Sequence, residues 1–302
     1  MVFSSITFLL YFLPITFLVY YLFAFSRPLQ NLWLVIASLL FYAWGEPIYV
    51  FLMLASISFN WLFGLMLMLI RKDNVKVRRL VLTAACVLNL GMLGVFKYAG
   101  FVVETVNGIM ERPFLPYPNI VLPIGISFFT FQALSYVIDV YMGSAEPQKN
   151  LLDIALYVAF FPQLIAGPIV KYSAIAEQIK NRRTDFTMLT EGICRFSEGF
   201  CKKILIANNL AVIADTVFNL TKGGDTSIPV PMLLAWLGAV SYMFQLYYDF
   251  SAYSDMAIGL GLMFGFRFSE NFRYPFVSRS IREFMTRWHI SLASWFSQYV
   301  YK

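Results

Sequence analysis

The sequence is short of charged residues, of histidine and of cysteine. Of its 302 residues, 23 are Lys or Arg and 17 are Asp or Glu, which makes 13% charged, against about 25% in a typical soluble domain. With 59% hydrophobic and 18% aromatic residues, a soluble globule of this length could not cover its apolar surface. The apolar content excludes a disordered chain, and three cysteines are too few for a disulfide-rich scaffold. A water-soluble enzyme is therefore excluded.

Long runs without Asp, Glu, Lys or Arg recur along the whole chain. They occupy residues 1–26, 28–45, 47–70, 80–96, 113–138, 154–170 and 226–248. A helix of about 20 apolar residues crosses the hydrocarbon core of a bilayer, and continuous runs differ from the alternating pattern of a membrane barrel. We therefore predict an all-α polytopic membrane protein with a single membrane domain over residues 1–302. The first run lacks the basic start of a signal peptide, so we expect it to be retained as a helix.

Basic residues concentrate in segments 71–79, 171–203 and 267–287, and the positive-inside rule predicts that all three are cytoplasmic. A single crossing by residues 154–170 contradicts this assignment, because it would place residues 171–203 outside. Pro162, Gly167 and Pro168 interrupt that run and disfavour a straight helix. We therefore predict that residues 160–169 form a re-entrant or broken segment, which is tolerated where it is buried in protein or lines a polar cavity.

Four polar residues lie inside apolar runs, where each needs a partner or a function. Asp249 and Asp255 flank a segment rich in hydroxyl groups, and Gln132 and Asp139 share one face of a predicted helix. Two interpretations stay open. The side chains can hydrogen-bond between helices and hold the bundle together, or the carboxylates can orient a reacting group in a polar tunnel.

His289 is the single histidine. Around it, over residues 282–296, large apolar side chains recur at helical spacing: Phe284, Trp288, Leu292 and Trp295. This pattern predicts one helix that enters the membrane from the cytoplasmic interface. Because imidazole exchanges protons near neutral pH, His289 is either a proton-transfer group or a buried structural residue. No second His or Cys stands at ligand spacing, so no metal site is expected.

The basic pairs Lys202–Lys203 and Arg267–Arg273 are typical of cytoplasmic anchors, although they could also bind the phosphates of a donor. The sequence has neither a phosphate-binding loop nor a dinucleotide fingerprint, which argues against nucleotide hydrolysis and hydride transfer. We expect no bound cofactor and no nucleic-acid partner. The glycines of Gly259–Gly265 predict a close helix-packing surface.

Several long motifs follow one another in a distinctive order. They are Phe41–Trp44, Gly94–Tyr98, Leu122–Tyr136, Phe160–Ile169, Tyr247–Met256, Asn271–Phe276 and Arg287–Phe296. In these motifs, and from Met1 almost to its last residue, the chain resembles the membrane-bound O-acyltransferase family. The resemblance is to the bacterial branch that serves O-acetylation of extracellular polysaccharides such as alginate.

The resemblance implies a ring of tilted and re-entrant helices around a tunnel, with the acyl donor on the cytoplasmic side and the acceptor on the other. His289 stands at the position of the family's essential histidine and is expected to be a general base toward an acceptor hydroxyl. Trp288 and Trp295 are expected to shape the tunnel, and Asp249 and Asp255 are weaker candidates for orienting the substrate. The expected donor is an acyl thioester, acetyl-CoA or an acyl carrier, with no covalent acyl-enzyme.

The expected partners are the lipid bilayer, the donor, and a periplasmic or extracellular acetyl-acceptor protein with its alginate-like polysaccharide. The expected location is the inner membrane of a bacterium, with multiple spans. Peptidoglycan, cellulose and D-alanylated teichoic acid remain alternative acceptors, and a transporter or inactive scaffold remains an alternative function. Members of this branch continue past the Trp-His motif, so we expect the chain to be a fragment or frameshifted product that lacks the C-terminal helices and is inactive by itself.

Overall fold

The computed structural model describes residues 1–110, 114–118, 120–165, 167–222 and 231–301. Within these ranges the regular secondary structure is helical, as predicted. The first half contains α1 (Leu13–Leu22), α2 (Arg27–Ala43), α3 (Tyr49–Leu69), α4 (Val75–Ile109), α5 (Ile126–Met142) and α6 (Leu151–Ala159). The second half contains α7 (Phe161–Leu164), α8 (Tyr172–Asn181), α9 (Phe186–Cys201), α10 (Asn208–Lys222), α11 (Met232–Met263), α12 (Ile281–Arg287) and α13 (Ile290–Tyr299). Two π-helical turns (Phe8–Phe12 and Lys202–Ala207) and a 3₁₀ turn (Pro275–Val277) complete the elements.

Three helices among the described residues are long and apolar enough to cross a membrane. They are α3, α4 and the continuous helix Phe186–Leu220, which joins α9 to α10 through the π-turn. Phe8–Leu22 and α5 are apolar but shorter. With the family established below, these helices make the chain a multi-pass membrane protein.

The basic segment 171–203 is largely helical and not a loop, and that it faces the cytoplasm stays a prediction. It contains α8 and α9, and the latter runs on into a candidate span. Counting charges could not reveal this helix, because its basic side chains are matched by carboxylates on another helix. Lys203 Nζ lies 2.7 Å from Asp249 Oδ1, and Asp249 belongs to α11.

Glycines bring α9 and α11 into close contact. A methyl group on Gly192 would lie 2.8 Å from the backbone oxygen of Gly259, and one on Gly199 would lie 2.7 Å from the backbone oxygen of Ala252. Without side chains at these points the two backbones approach closely, which is the usual function of small residues between membrane helices. Gly259 thus lies in a close-packing surface, as its motif predicts.

The predicted interruption in residues 160–169 is present. Helix α6 ends at Ala159, α7 has four residues, and no further α-helix begins before Tyr172. At 1.5 Å per residue, the nine residues of α6 span about 14 Å, less than half of a hydrocarbon core of about 30 Å. The segment is buried in protein, where Ser38 Oγ accepts a 3.0 Å hydrogen bond from the Phe161 N–H.

After this interruption the chain returns to the end of α5. The Ser173 N–H, at the start of α8, donates to Asp139 Oδ2 at 3.1 Å. Close to Asp139 in α5, the Tyr141 backbone oxygen accepts a bond from Arg78, which also donates to the Leu67 oxygen. The end of α3, the start of α4, the end of α5 and the start of α8 therefore lie at one end of the molecule, which is called the basic end below.

Candidate active site

His289 lies at a sharp turn between α12 and α13, in left-handed backbone conformation with φ 46° and ψ 52°. The continuous helix predicted over residues 282–296 is therefore wrong. The physical reason is pairing with a distant stretch of chain, residues 271–273. The Arg273 N–H donates to the Arg287 oxygen at 3.0 Å, and the Ile290 N–H donates to the Asn271 oxygen at 3.0 Å.

The side chain of Asn271 holds this turn from within. It is fully buried, and its Oδ1 lies 3.1 Å from His289 Nδ1. The same oxygen accepts a 3.1 Å bond from the Ser291 N–H and a 2.9 Å bond from Ser291 Oγ. One amide oxygen thus connects the imidazole to the first turn of α13.

Two phenylalanines enclose the imidazole ring. The Phe250 ring, on α11, meets it edge-on with the centroids 4.8 Å apart, and the Phe272 ring lies nearly parallel to it at 6.5 Å. These contacts place α11, the stretch 271–273 and the turn between α12 and α13 around one imidazole. The described contacts of His289 are with these rings, Asn271 and Ser291, and with neither Asp249 nor Asp255.

Helix α13 packs along the interrupted segment. Near its start, Ser291 Oγ accepts a 3.0 Å bond from the Ile169 N–H. Near its other end, Tyr299 donates to Asp139 Oδ1 at 2.8 Å, and Asp139 marks the basic end. Ten helical residues span about 15 Å, so His289 lies about that far from the basic end.

The two tryptophans occupy different surroundings. Trp288 belongs to an aromatic wall, in which its ring centroid lies 5.2 to 6.4 Å from those of Tyr247, Phe272, Phe276 and Phe284. Trp295 is buried against Phe131 of α5, with centroids 4.7 Å apart. The structure therefore separates two residues that were predicted to line one tunnel, and their function in shaping it stays a prediction.

Two cavities lie beside the aromatic wall. The smaller, about 290 Å³, is mostly polar and is lined by Arg195, Asp255 and Phe272 among others. The larger, about 690 Å³, is more apolar and includes Phe276. Both reach Tyr247. Phe272 lines the smaller cavity, and its ring also lies beside the imidazole of His289.

Both candidate aspartates are engaged in ion pairs between helices. Asp255 accepts from Arg195 at 2.7 Å and from Lys202 at 2.5 Å. Asp249 pairs with Lys203. These partners correspond to the interpretation in which carboxylates join helices, and a function of either aspartate in orienting substrate stays a prediction. Lys202 and Lys203 likewise have carboxylate partners in this structure.

Sequence reasoning did not single out Asn271 and Ser291 as site residues. Both lie inside the motifs Asn271–Phe276 and Arg287–Phe296, but no pattern within these motifs assigned them a function.

On α12, hydrogen bonds from the Arg279 N–H and from Arg287 lower the pKa of Glu283 from its ordinary value. Over the described ranges, His, Cys, Asp and Glu do not gather in a group of three that could hold a metal ion.

With this geometry in place, comparison with known proteins assigns the family. The sequence profile of the membrane-bound O-acyltransferase family matches residues 145–302, more than half of the chain and all of the site. The chain belongs to this family. The resemblance found in its motifs is thereby confirmed.

Curated relatives of this acyltransferase-family chain extend over its whole length. It is 45% identical over 307 residues to the probable alginate O-acetylase AlgI of Pseudomonas syringae pv. tomato, covering 100% of the chain and 57% of the relative. It is 46% identical over 309 residues to the probable alginate O-acetylase AlgI of Pseudomonas aeruginosa, covering 100% of the chain and 56% of the relative. It is 36% identical over 331 residues to the peptidoglycan O-acetyltransferase of Helicobacter pylori, covering 100% of the chain and 61% of the relative. The chain thus spans less than two thirds of the length of these relatives.

Proposed function

We propose that the chain forms the site-bearing part of a membrane O-acyltransferase that moves an acetyl group from a cytoplasmic thioester to hydroxyl groups of an alginate-like extracellular polysaccharide. The observation that carries this proposal is His289, held by Asn271 at the Trp-His turn of a family member. The similarity to two alginate O-acetylases supports acetyl as the acyl group and alginate as the polymer.

In the proposed reaction His289 is the general base. Its Nε2 accepts the proton of an acceptor hydroxyl while the hydroxyl oxygen attacks the thioester carbonyl carbon. The new C–O bond forms, the C–S bond breaks, and the thiolate leaves and takes up a proton. The acyl group passes directly from sulfur to oxygen, so no protein side chain needs to carry it.

The cavities beside the aromatic wall are the proposed route of the donor. The polar cavity suits the hydrogen-bonding arm of a thioester donor, and the apolar cavity suits the less polar parts of the same molecule. If the Phe272 ring swung away from the imidazole, a donor in the polar cavity would contact His289. Trp288, packed on Phe272, would then limit how far the acyl group enters.

The proposed setting is the inner membrane of a bacterium, with the donor at the basic end and the polysaccharide and an acetyl-acceptor protein on the opposite side. The basic end contains the segment 71–79, which the positive-inside rule assigns to the cytoplasm. Peptidoglycan is a second candidate acceptor, because the Helicobacter relative at 36% identity carries that activity in its name.

The test replaces His289 by Gln in the natural gene and measures transfer of radiolabelled acetyl from a thioester to polymer in native membranes. Loss of general-base catalysis predicts a decrease of about 10²- to 10⁴-fold, with insertion into the membrane unchanged. Asn209→Ala, at an exposed site on α10, is the matched control and should retain full transfer.

The label also identifies the acceptor. Label in alginate supports the first proposal, and label in peptidoglycan supports the second. Full transfer by the His289→Gln variant would refute the assigned base. A wild-type protein that moves the donor across the membrane without acylating any polymer would refute the enzyme and favour a transporter.

A further inference from the structure

The protonation pattern of a histidine decides which ring nitrogen can act as a base. A neutral imidazole carries one N–H and one lone pair, and the partner of the first nitrogen determines which is which. His289 Nδ1 lies 3.1 Å from Asn271 Oδ1. Nδ1 donates a proton to an amide oxygen but accepts one from an amide nitrogen, so the orientation of the Asn271 amide decides the tautomer.

The backbone settles the orientation of this amide. The Ser291 N–H points at the same Asn271 atom at 3.1 Å, and a backbone N–H can only donate. That atom must then be the oxygen, because an amide nitrogen in its place would set two donors against each other. The orientation follows from the fold and not from a choice about the histidine.

The Ser291 hydroxyl leads to the same result. Its oxygen accepts a 3.0 Å bond from the Ile169 N–H, so its own proton remains for another acceptor. Two acceptors are within reach, Asn271 Oδ1 at 2.9 Å and His289 Nδ1 at 3.4 Å, and the nearer amide oxygen receives the proton. Among the described residues the Nδ2 of Asn271 is buried without a partner, so this buried amide is held through its oxygen.

We propose that Asn271 is a positioning residue: its oxygen accepts the Nδ1 proton of His289, which fixes the imidazole as the Nδ1–H tautomer and leaves the lone pair on Nε2. The catalytic consequence rests on the proposed function, since it matters for acyl transfer only if Nε2 is the base. The tautomer itself does not depend on any activity. Three elements cooperate in it, namely the stretch 271–273, the first turn of α13 and Ile169 of the interrupted segment.

The chain offers an unusually direct measurement, because it has one histidine. The 302-residue chain, labelled with ¹⁵N-histidine and purified in nanodiscs with a histidine-free tag, contains a single imidazole. Its two nitrogen resonances distinguish a protonated from an unprotonated ring nitrogen. At a pH where the ring is neutral, the wild-type protein should show protonated Nδ1 and unprotonated Nε2. An Nε2–H tautomer in wild-type protein would overturn the proposal without any variant.

Two substitutions separate positioning from folding. Asn271→Asp keeps an oxygen acceptor and should retain the Nδ1–H tautomer, whereas Asn271→Leu has a similar size but no acceptor and should lose it. Asn209→Leu makes the same chemical change at an exposed site on α10 and should leave the imidazole resonances unchanged. Retention of the Nδ1–H tautomer in a folded Asn271→Leu protein would also overturn the proposal.

Acyl transfer in native membranes supplies the catalytic readout. Loss of an orienting partner typically costs 10- to 100-fold in a metal site and about 10⁴-fold in a catalytic triad with the wrong tautomer. We therefore expect a decrease in kcat of about 10²-fold for Asn271→Leu, with KM nearly unchanged and partial rescue in Asn271→Asp. If the tautomer is as stated but His289→Gln transfers acetyl normally, the assignment of His289 as the base fails and the positioning of its ring by Asn271 stands.

Discussion

The Ile169 N–H donates a 3.0 Å hydrogen bond to Ser291 Oγ, and this bond joins the interrupted segment to the turn that holds His289. Residues 122 positions apart thereby meet at the site. Both groups are buried. The broken helix around Pro162 and Pro168 therefore does more than return the chain to the basic end, because the backbone N–H of Ile169 becomes one of the supports of the turn at His289.

Replacement of Ser291 by Ala should loosen this turn. The Ile169 N–H would lose its acceptor, and a buried unpaired donor costs about 1–3 kcal/mol. We expect a lower thermal midpoint in nanodiscs together with reduced acetyl transfer. Ser297→Ala removes a hydroxyl from an exposed position of the same helix and should have little effect. Equal midpoints for the two variants would show that the bond to Ile169 does not stabilise the fold.

The contact between α9 and α11 predicts a sharp difference between two glycine substitutions. In Gly192→Ala the new methyl would meet backbone atoms of Gly259 and Met263 at 2.8 and 2.9 Å, which no rotamer change can relieve. Overpacking of this kind costs about 1–3 kcal/mol. Gly91→Ala on α4, where nothing lies within 4 Å, should be neutral or slightly stabilising. Unfolding in a denaturing detergent, followed by loss of helical circular dichroism, measures both.

Part of this architecture follows from the sequence alone. The charge-free runs indicate α3 and α4, and the prolines and Gly167 indicate the interruption after α6, because these features act locally. The helix through α9 and α10 could not be predicted in the same way. Its charges argue for an aqueous loop until the ion pairs with Asp249 and Asp255 on α11 are known.

The site shows the same limit more clearly. Periodicity places Trp288 and Trp295 on one helix face, but the chain breaks at His289 because residues 271–273 pair with both sides of the turn. A pattern of side chains contains no information about such backbone partners, which lie 14 and 19 residues away. The motif positions of Asn271 and Ser291 were visible, whereas their shared hydrogen bonds required the structure.

The two aspartates of α11 should differ strongly when neutralised. The Asp255 side chain is 8% exposed and faces both Arg195 and Lys202, whereas the Asp249 side chain is 43% exposed and pairs with Lys203. Breaking a buried ion pair costs about 3–5 kcal/mol, and an exposed pair contributes about 0–1 kcal/mol. Arg195 and Lys202 are partly exposed, and Glu270 remains beside Arg195. We therefore expect Asp255→Asn to lower the free energy of unfolding by less than about 5 kcal/mol.

The measurement is the free energy of unfolding of Asp255→Asn and Asp249→Asn under identical detergent conditions. A larger loss for Asp255→Asn would support its function in joining α9 to α11. Comparable stability of the two variants, with transfer abolished only in Asp255→Asn, would instead favour the interpretation in which Asp255 orients the substrate.

A pair of asparagines predicts coupling between α3 and α4. Asn60 Nδ2 donates to Asn89 Oδ1 at 3.1 Å, and Asn89 Nδ2 donates to Asn60 Oδ1 at 2.9 Å, with both residues fully buried. Either single replacement by Leu leaves the other amide partly unpaired, and the double replacement removes both. Interhelical hydrogen bonds in membranes contribute about 0.6 kcal/mol on average and up to about 1.7 kcal/mol. A double-mutant cycle should give a coupling energy in this range, and independent, additive effects would contradict the pairing.

The interrupted segment makes a prediction about sidedness. Ser173 and Asn181 lie near the two ends of α8 and are exposed. They come after the interrupted segment, which returns the chain to the basic end. Single cysteines at these positions should therefore react with a membrane-impermeant maleimide only from the cytoplasmic side. The background requires replacement of the three free cysteines, Cys86, Cys194 and Cys201. Asp73→Cys in the loop between α3 and α4 is the control for the cytoplasmic side, and Pro47→Cys before α3 is the control for the opposite side.

The hydrogen bonds already separate the two controls. Tyr49 donates to the Val121 oxygen at one end of the molecule, while Arg78 bonds Leu67 and Tyr141 at the other. If residues 151–170 crossed the membrane, Ser173 would lie with Pro47, yet its N–H donates to Asp139, two residues from Tyr141. Labelling of Ser173→Cys and Asn181→Cys together with Asp73→Cys is therefore the expected pattern. Labelling together with Pro47→Cys would mean that residues 151–170 cross the membrane and that the chain does not return to the basic end after the interrupted segment.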